Sequence, residues 1–262
     1  MSSKDSVGGT LKVALLLCVV CSIFISSAAV ILRPLQEANK LLDRNKNILA
    51  AAGMYDPAVT PEEEVVELFA QFTPRIVDLD TGEFLTESEL SSLGIDPATY
   101  DQRSVLTEPE FSDALSGDED IAGLKRRVRY ATVYIVRDDS DAIQDIVLPI
   151  SGYGLWGTMY GYLALEGDGN TVKGIGYYDQ KETPGLGGEV TNPRWKALWP
   201  GKEVYDESGD VALSVVKGGG QGIHQVDGLS GASLTSRGVD NMIEFWMGPM
   251  GFGPFLKNLT NN

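Results

Sequence analysis

The chain has 262 residues, 37 of them acidic and 21 basic, for a formal net charge of −16. This balance excludes nucleic acid as a partner, because a phosphate backbone is bound through a basic footprint. The single histidine, His224, excludes a site built from several histidines of one chain, and the only cysteines, Cys18 and Cys21, leave no disulfide framework in the rest of the chain.

Residues 1–10 form a short polar tail. Residues 11–32 are predominantly apolar. As a helix they would reach roughly 33 Å at about 1.5 Å per residue, enough to cross a bilayer. Lys12 stands at the edge, where its side chain can snorkel. The small residues Ser26 to Ala29 offer a cleavage site for the alternative, a signal peptide, but the apolar run continues past them through Leu32, and a retained single-pass anchor fits better. Cys18 and Cys21 lie one helical turn apart in this segment and read as small packing residues. Basic residues flank both ends of the anchor, so charge bias leaves its orientation open.

Residues 33–55 read as a connecting helix with an intermittent apolar stripe that includes Leu35, Leu41, Leu42, Ile48 and Leu49. Residues 56–120 form an acidic, turn-rich insert whose charges read as a solvated surface. The basic cluster of Lys125, Arg126, Arg127 and Arg129 is expected to pair with nearby carboxylates. From Tyr130 the pattern becomes that of strands: 131–136, 146–150, 160–165, 171–178 and 211–216, with Pro149 suited to an edge or a strand end. The first four are joined by short turns, which predicts a mostly antiparallel sheet. Residues 193–199 read as a short helix.

Near the C-terminus, Asp227-Gly228-Leu229-Ser230-Gly231-Ala232-Ser233-Leu234-Thr235-Ser236 gathers small residues and hydroxyls ahead of a helix marked by Val239, Met242, Ile243 and Trp246 and stopped by Gly248-Pro249. A helix start of this kind favours an anion, and a phosphate could be held there or bonded to one of the hydroxyls. The plainer reading is an N-cap supplied by Ser230 or Thr235. Two further Gly-rich stretches, 152–157 and 185–188, would let backbone approach a flat ligand, with Trp156, Tyr177 and Tyr178 near enough to flank an aromatic ring. Neither a dinucleotide fingerprint nor a P-loop is present. A serine hydrolase built on Ser230 or Ser233 with His224 lacks the nucleophile-elbow pattern. A membrane-anchored docking module without flavin is the remaining alternative.

The segment 227–233 resembles the flavinylation sequence Asp-x-x-Ser/Thr-Gly-Ala-Thr/Ser. Gly154-Leu155-Trp156, the block 182–189 and the ending 251–256 resemble the other recurrent blocks of the same family. The match runs nearly end to end and is similar to the covalent-FMN subunit of bacterial Na+-translocating NADH:quinone oxidoreductases. A second candidate family is the related covalent-FMN subunit of the Rnf-type ion-translocating electron-transport complex.

The resemblance implies an α+β protein: one N-terminal transmembrane helix, then an FMN-binding domain over 56–262 with a mostly antiparallel β-sheet and flanking helices. It implies one FMN per chain, bound covalently through its phosphate, and an electron-relay role in a Na+-pumping NADH:ubiquinone reductase. Ser233 would be the attachment point where the family usually has Thr, with Thr235 a nearby competitor. Trp156, Thr183, Gly185, Leu186, Gly187, Ser230 and Thr235 would contribute to the flavin site, and Asp227 would be a recognition residue for an external flavin transferase. The implied partners are the other subunits and that transferase. The implied location is the bacterial inner membrane, with residues 1–10 cytoplasmic and the large domain periplasmic.

Overall fold

The computed structural model describes residues 7–260, which divide into a unit reaching Arg44 and a second unit from Asn45 onward. Helix α1 (Val7–Ala51) runs unbroken through Pro34 and takes in residues 7–10 of the expected tail. Residues 1–6 of that tail lie outside the described residues. The apolar window of α1 is long and hydropathic enough to cross a membrane, and none of that window is buried within the protein. Cys18 and Cys21 are both free and exposed on it. Helix α1 ends at Ala51, slightly before the expected boundary.

In the second unit the last turn of α1 buries Ile48, Leu49 and Ala51. The chain continues through α2 (Val65–Phe69) into β1 (Phe72–Asp78) and β2 (Glu83–Phe84). The acidic side chains of 56–120 all lie outside the core, as expected, but the segment also supplies a core strand. β1 pairs antiparallel along its whole length with the later strand β5 (Tyr130–Arg137), and Phe72, Ile76 and Val77 are buried. The strand is hard to see in sequence because it carries Pro74 and Arg75 and its buried residues, Phe72, Ile76 and Val77, do not alternate regularly. Helix α3 (Glu87–Leu93) follows, opened by a capping box between Thr86 and Glu89 and closed by Gly94 in the left-handed conformation.

The remaining strands are β3 (Ser112–Ala114), β4 (Arg126–Val128), β6 (Ile143–Tyr153), β7 (Thr158–Glu166) and β8 (Val172–Asp179). The main sheet is six-stranded and antiparallel throughout, in the order β2-β1-β5-β6-β7-β8. Strand β6 is therefore interior, not an edge, yet it carries Pro149. The register resolves this: β5 pairs with β6 only as far as Val147, so Pro149 lies beyond the last β5 partner while still opposite Tyr162 of β7. The Thr132 N–H on β5 is instead satisfied by the Gln102 side chain at 3.2 Å.

The expected pairing of the basic cluster with carboxylates holds for Arg127 and Arg129. Arg127 pairs with Asp80, Arg129 with Asp113 at 2.6 Å, and Arg126 donates to the carbonyls of Leu106 and Ser112.

After β8 come α4 (Pro193–Lys196), a parallel pair β9 (Ser214–Val216) and β10 (Gln225–Asp227), helix α5 (Ser233–Met247) and helix α6 (Gly253–Thr260). The expected strand over 211–216 is only three residues long; Val211 makes an isolated bridge with Tyr205. One face of the sheet, with Val133, Ile135, Ile146, Leu148 and Leu163, packs on α5 through Val239, Met242, Ile243 and Trp246. The first three of those helix residues are fully buried and together contribute about 5–9 kcal/mol of hydrophobic stabilisation as an upper estimate. The close approach of α5 to the end of β6 requires Gly238, because a Cβ there would stand 2.4 Å from the Tyr153 carbonyl oxygen. The opposite face carries aromatic rings in sequence, Phe69–Tyr134–Tyr162–Tyr178, with centroids 5.3–6.1 Å apart.

Candidate functional site

The hydroxyl-rich segment joins β10 to α5. Leu229 and Ala232 turn inward while Ser230, Gly231 and Ser233 face solvent. The buried Ser236 fixes this shape: its Oγ accepts from the Leu229 N–H at 2.9 Å and donates to the Ala232 carbonyl at 3.0 Å. Gly231 sits at φ +77°, beside the Leu186 side chain.

The N-cap of α5 is Ala232, and no side chain caps the helix. The expectation that Ser230 or Thr235 would cap it is corrected. Thr235 points the other way, 1% exposed, and its hydroxyl donates to the Glu182 carboxylate at 2.5 Å. The first backbone N–H of α5 to be bonded within the helix is that of Ser236, to Ala232. The preceding turn keeps its donors for an outside acceptor, and the dipole end there favours an anion.

Glu182 organises the site, and the sequence reading gave it no role. It is 5% exposed. Its Oε1 accepts from the N–H groups of Leu155 (3.0 Å) and Trp156 (2.9 Å), and its Oε2 accepts from Thr235. One carboxylate thus ties together the loop 154–157, the block 182–189 and the first turn of α5. Two glycines leave it room: a Cβ at Gly154 would stand 2.6 Å from Oε1, and one at Gly187 2.6 Å from Oε2 and 2.4 Å from Thr235 Oγ1. A glutamate in a Gly-rich block far from Thr235 in sequence is the signal that could have been weighed; its partners are 26 to 53 residues away.

The block itself is a tight loop in which the Thr183 carbonyl accepts from both Leu186 (3.1 Å) and Gly188 (2.9 Å). Thr183, Gly185 and Leu186 are all exposed, while Gly187 behind them is buried. Trp156 is 62% exposed and Leu155 41%. Exposed apolar side chains at Leu155, Trp156 and Leu186 thus belong to the two loops that Glu182 ties to the first turn of α5.

Two aromatic candidates fall elsewhere. Tyr177 is in the core, its hydroxyl 4.0 Å from Met242 sulfur. Tyr178 lies on the far sheet face, tilted on Tyr162 and beneath Arg103, with its pKa pushed up to about 12 by burial against the opposing effect of Arg103. Strand alternation sends the two rings to opposite faces.

Asp227 accepts from the Gly220 N–H through its carboxylate, while its carbonyl accepts from Trp195 Nε1 at 2.7 Å. The hydrolase alternative finds no support: His224 Nδ1 is 2.8 Å from the Glu203 carbonyl and contacts neither serine. Among the described residues no cluster of His, Cys, Asp and Glu could hold a metal ion.

A buried carboxylate beneath two Gly-rich loops, set against an uncapped helix start, defines an α+β domain suited to a phosphate-bearing aromatic ligand. Residues 154–248 match the FMN-binding domain family. The C subunit of the Na(+)-translocating NADH-quinone reductase of Pseudomonas aeruginosa is 48% identical to the chain, covering 99% of the chain and 98% of its own length. Its counterpart in Vibrio alginolyticus is 49% identical, with coverage of 99% and 98%. The crystal structure of Shewanella oneidensis NqrC superposes with a TM-score of 0.76 at 37% identity, covering 86% of this chain and 100% of that one. The chain belongs to the NqrC family, the C subunits of Na(+)-translocating NADH-quinone reductases.

Proposed function

We propose that the chain is the flavin-carrying subunit of a Na+-translocating NADH-quinone reductase and that Ser233 carries one FMN through a phosphodiester. The observation that carries this reading is the contrast between two hydroxyls of one helix turn. Ser233 is exposed at an uncapped helix N-terminus, whereas Thr235 is buried with its hydroxyl committed to Glu182.

The residues fit the group. The free N–H groups at the start of α5 suit a phosphodiester, which keeps one negative charge. Leu155, Trp156 and Leu186 offer apolar surface for an aromatic ring system, and Thr183 and Gly185 shape the loop that presents it. Ser230 and Gly231 leave the approach to Ser233 open.

A serine hydroxyl, with a pKa far above neutral, does not attack a phosphoanhydride unaided, and among the described residues no base is hydrogen-bonded to Ser233. An external flavin transferase therefore performs the attachment: the Ser233 Oγ–P bond forms, the anhydride P–O bond of a flavin dinucleotide donor breaks with the second nucleotide leaving as its monophosphate, and a base of the transferase takes the hydroxyl proton. Asp227 fixes the approach by holding Gly220 and, through its carbonyl, Trp195; recognition by the transferase would read that fixed loop. When bound, FMN supplies one-electron transfer between neighbouring redox centres. The covalent link retains the cofactor in a domain outside the cytoplasm, with α1 as the anchor in the bacterial inner membrane.

The test is co-expression with a flavin transferase, followed by a denaturing gel read for flavin fluorescence and peptide mass mapping. Wild type is expected to fluoresce with the mass on Ser233, and Ser233→Ala to be dark. Modification mapped to Thr235, or fluorescence retained in Ser233→Ala, refutes the assignment. A C-terminal alkaline phosphatase fusion should be active; a stably expressed, inactive fusion contradicts the periplasmic placement.

A further inference from the structure

Resting on the reading that FMN is held at Ser233, we infer that Glu182 is a positioning residue whose buried negative charge also lowers the reduction potential of that flavin. The three groups bonded to it, the Leu155 and Trp156 N–H groups and the Thr235 hydroxyl, are all donors. That pattern suits an ionised carboxylate, which offers acceptors only. Among the described residues no Lys, Arg or His lies within 4 Å of it to neutralise the charge.

This is unusual in this chain. The other buried carboxylate among the described residues, Asp145, has Lys173 Nζ at 2.6 Å. Arg127, the buried cation, lies between Asp80 and Asp113. A bare carboxylate is costly to bury, and here two glycines are kept free of side chains around it. The arrangement therefore maintains a negative charge directly beneath the loops that present Trp156 and Leu186.

Two consequences follow. Positioning comes from the bridge: one carboxylate fixes the spacing of the loop 154–157 from the first turn of α5. Electrostatics come from the charge: an electron delivered to a ring held over these loops adds negative charge near an uncompensated anion. In a low-dielectric setting that repulsion disfavours the reduced form.

The variants Glu182→Gln and Glu182→Asp separate the two roles. Gln keeps the Oε1 acceptor for Leu155 and Trp156 and removes the charge. Asp keeps the charge and shortens the bridge. Full-length protein, flavinylated by the transferase and purified in detergent, is first checked for covalent flavin on Ser233 by peptide mass. Absence of flavin there in wild type refutes the proposed function itself. With flavin present, the midpoint potential is measured by optical redox titration.

Glu182→Gln is expected to hold flavin at the wild-type stoichiometry with its potential shifted positive. Glu182→Asp is expected to lie closer to wild type in potential while its flavin is less ordered in near-UV circular dichroism. An unchanged potential in Glu182→Gln overturns the inference. So does a positive shift in Glu182→Asp as large as that in Glu182→Gln; if only the Asp variant folds, a clear positive shift of its potential from wild type overturns the inference.

Discussion

Replacing Gly187 by Ala is the most direct test of how the site is built. The new methyl carbon would stand 2.4 Å from Thr235 Oγ1, 2.6 Å from Glu182 Oε2 and 3.0 Å from Glu182 Cβ. It would fall between the partners of the bond that closes the site. Neither partner is the loose end of an exposed chain: Thr235 is 1% exposed and Glu182 is held by two backbone N–H groups. Separating them forfeits a hydrogen bond to a charged group, about 1.5–3 kcal/mol. Forcing a methyl into packed space adds about 1–3 kcal/mol. The middle of that range is a loss of about 4 kcal/mol, which lowers the melting temperature by roughly 8–16 °C for a unit of this size.

The assay is thermal unfolding of the full chain in detergent, followed by tryptophan fluorescence. A double-mutant cycle with Thr235→Ala then isolates the clash. With Oγ1 gone, Gly187→Ala should cost about 1–2 kcal/mol less than in the wild-type background. A melting temperature within about 2 °C of wild type, or strict additivity of the two changes, would refute the reasoning. The first outcome means that the loop yields freely; the second means that Gly187 and Thr235 do not meet.

The remaining predictions concern how α5 and the basic cluster are held. Asp240 Oδ1 accepts from the Val215 N–H at 2.7 Å, so Asp240→Ala orphans that donor at a cost of about 1–3 kcal/mol, and amide exchange over Ser214–Val216 should accelerate by about tenfold or more. Trp246 Nε1 donates to the Ser151 carbonyl at 2.7 Å; Trp246→Phe should lower stability by about 1–2 kcal/mol in denaturant titration, and an unchanged midpoint would count against that bond. The Asp113 pKa is lowered, chiefly by its hydrogen bond from Arg129, with burial opposing. Its folded pKa therefore lies below the unfolded one, and its stabilisation is fully present above the unfolded value of about 3.9 and lost as pH falls through the folded value. The gap in melting temperature between wild type and Asp113→Asn should hold from pH 7 to about 5 and narrow as pH falls below the unfolded value of about 3.9; a gap that widens over that acid range contradicts the assignment.

Much of the architecture was legible because it depends on local pattern. A run of apolar residues long enough for a bilayer gives α1 whatever follows it. The spacing of Val239, Met242, Ile243 and Trp246 marks the buried face of α5 because helical periodicity is fixed by the backbone. The antiparallel strands from Tyr130 onward announce themselves through short turns. The block ending at Ser233 was legible as a motif, and the family it pointed to is the one the full-length relatives show.

Other features were decided only by partners distant in the chain. Strand β1 needed β5, more than fifty residues later, to draw Phe72, Ile76 and Val77 into a core that their irregular spacing disguised. Pro149 could occupy an interior strand because β5 stops pairing before reaching it. Tyr177 and Tyr178, neighbours in sequence, were sent to opposite faces of the sheet. The residue pattern by itself determined that one of a few hydroxyls would stand at a helix start, and the motif ranked Ser233 above Thr235. Only the tertiary structure gives the physical difference, because Glu182, 53 residues from Thr235, claims one hydroxyl in the interior while Ser233 faces solvent. Hydrogen bonding in a folded interior depends on which groups the fold brings within about 3 Å of each other, and local pattern carries little of that information.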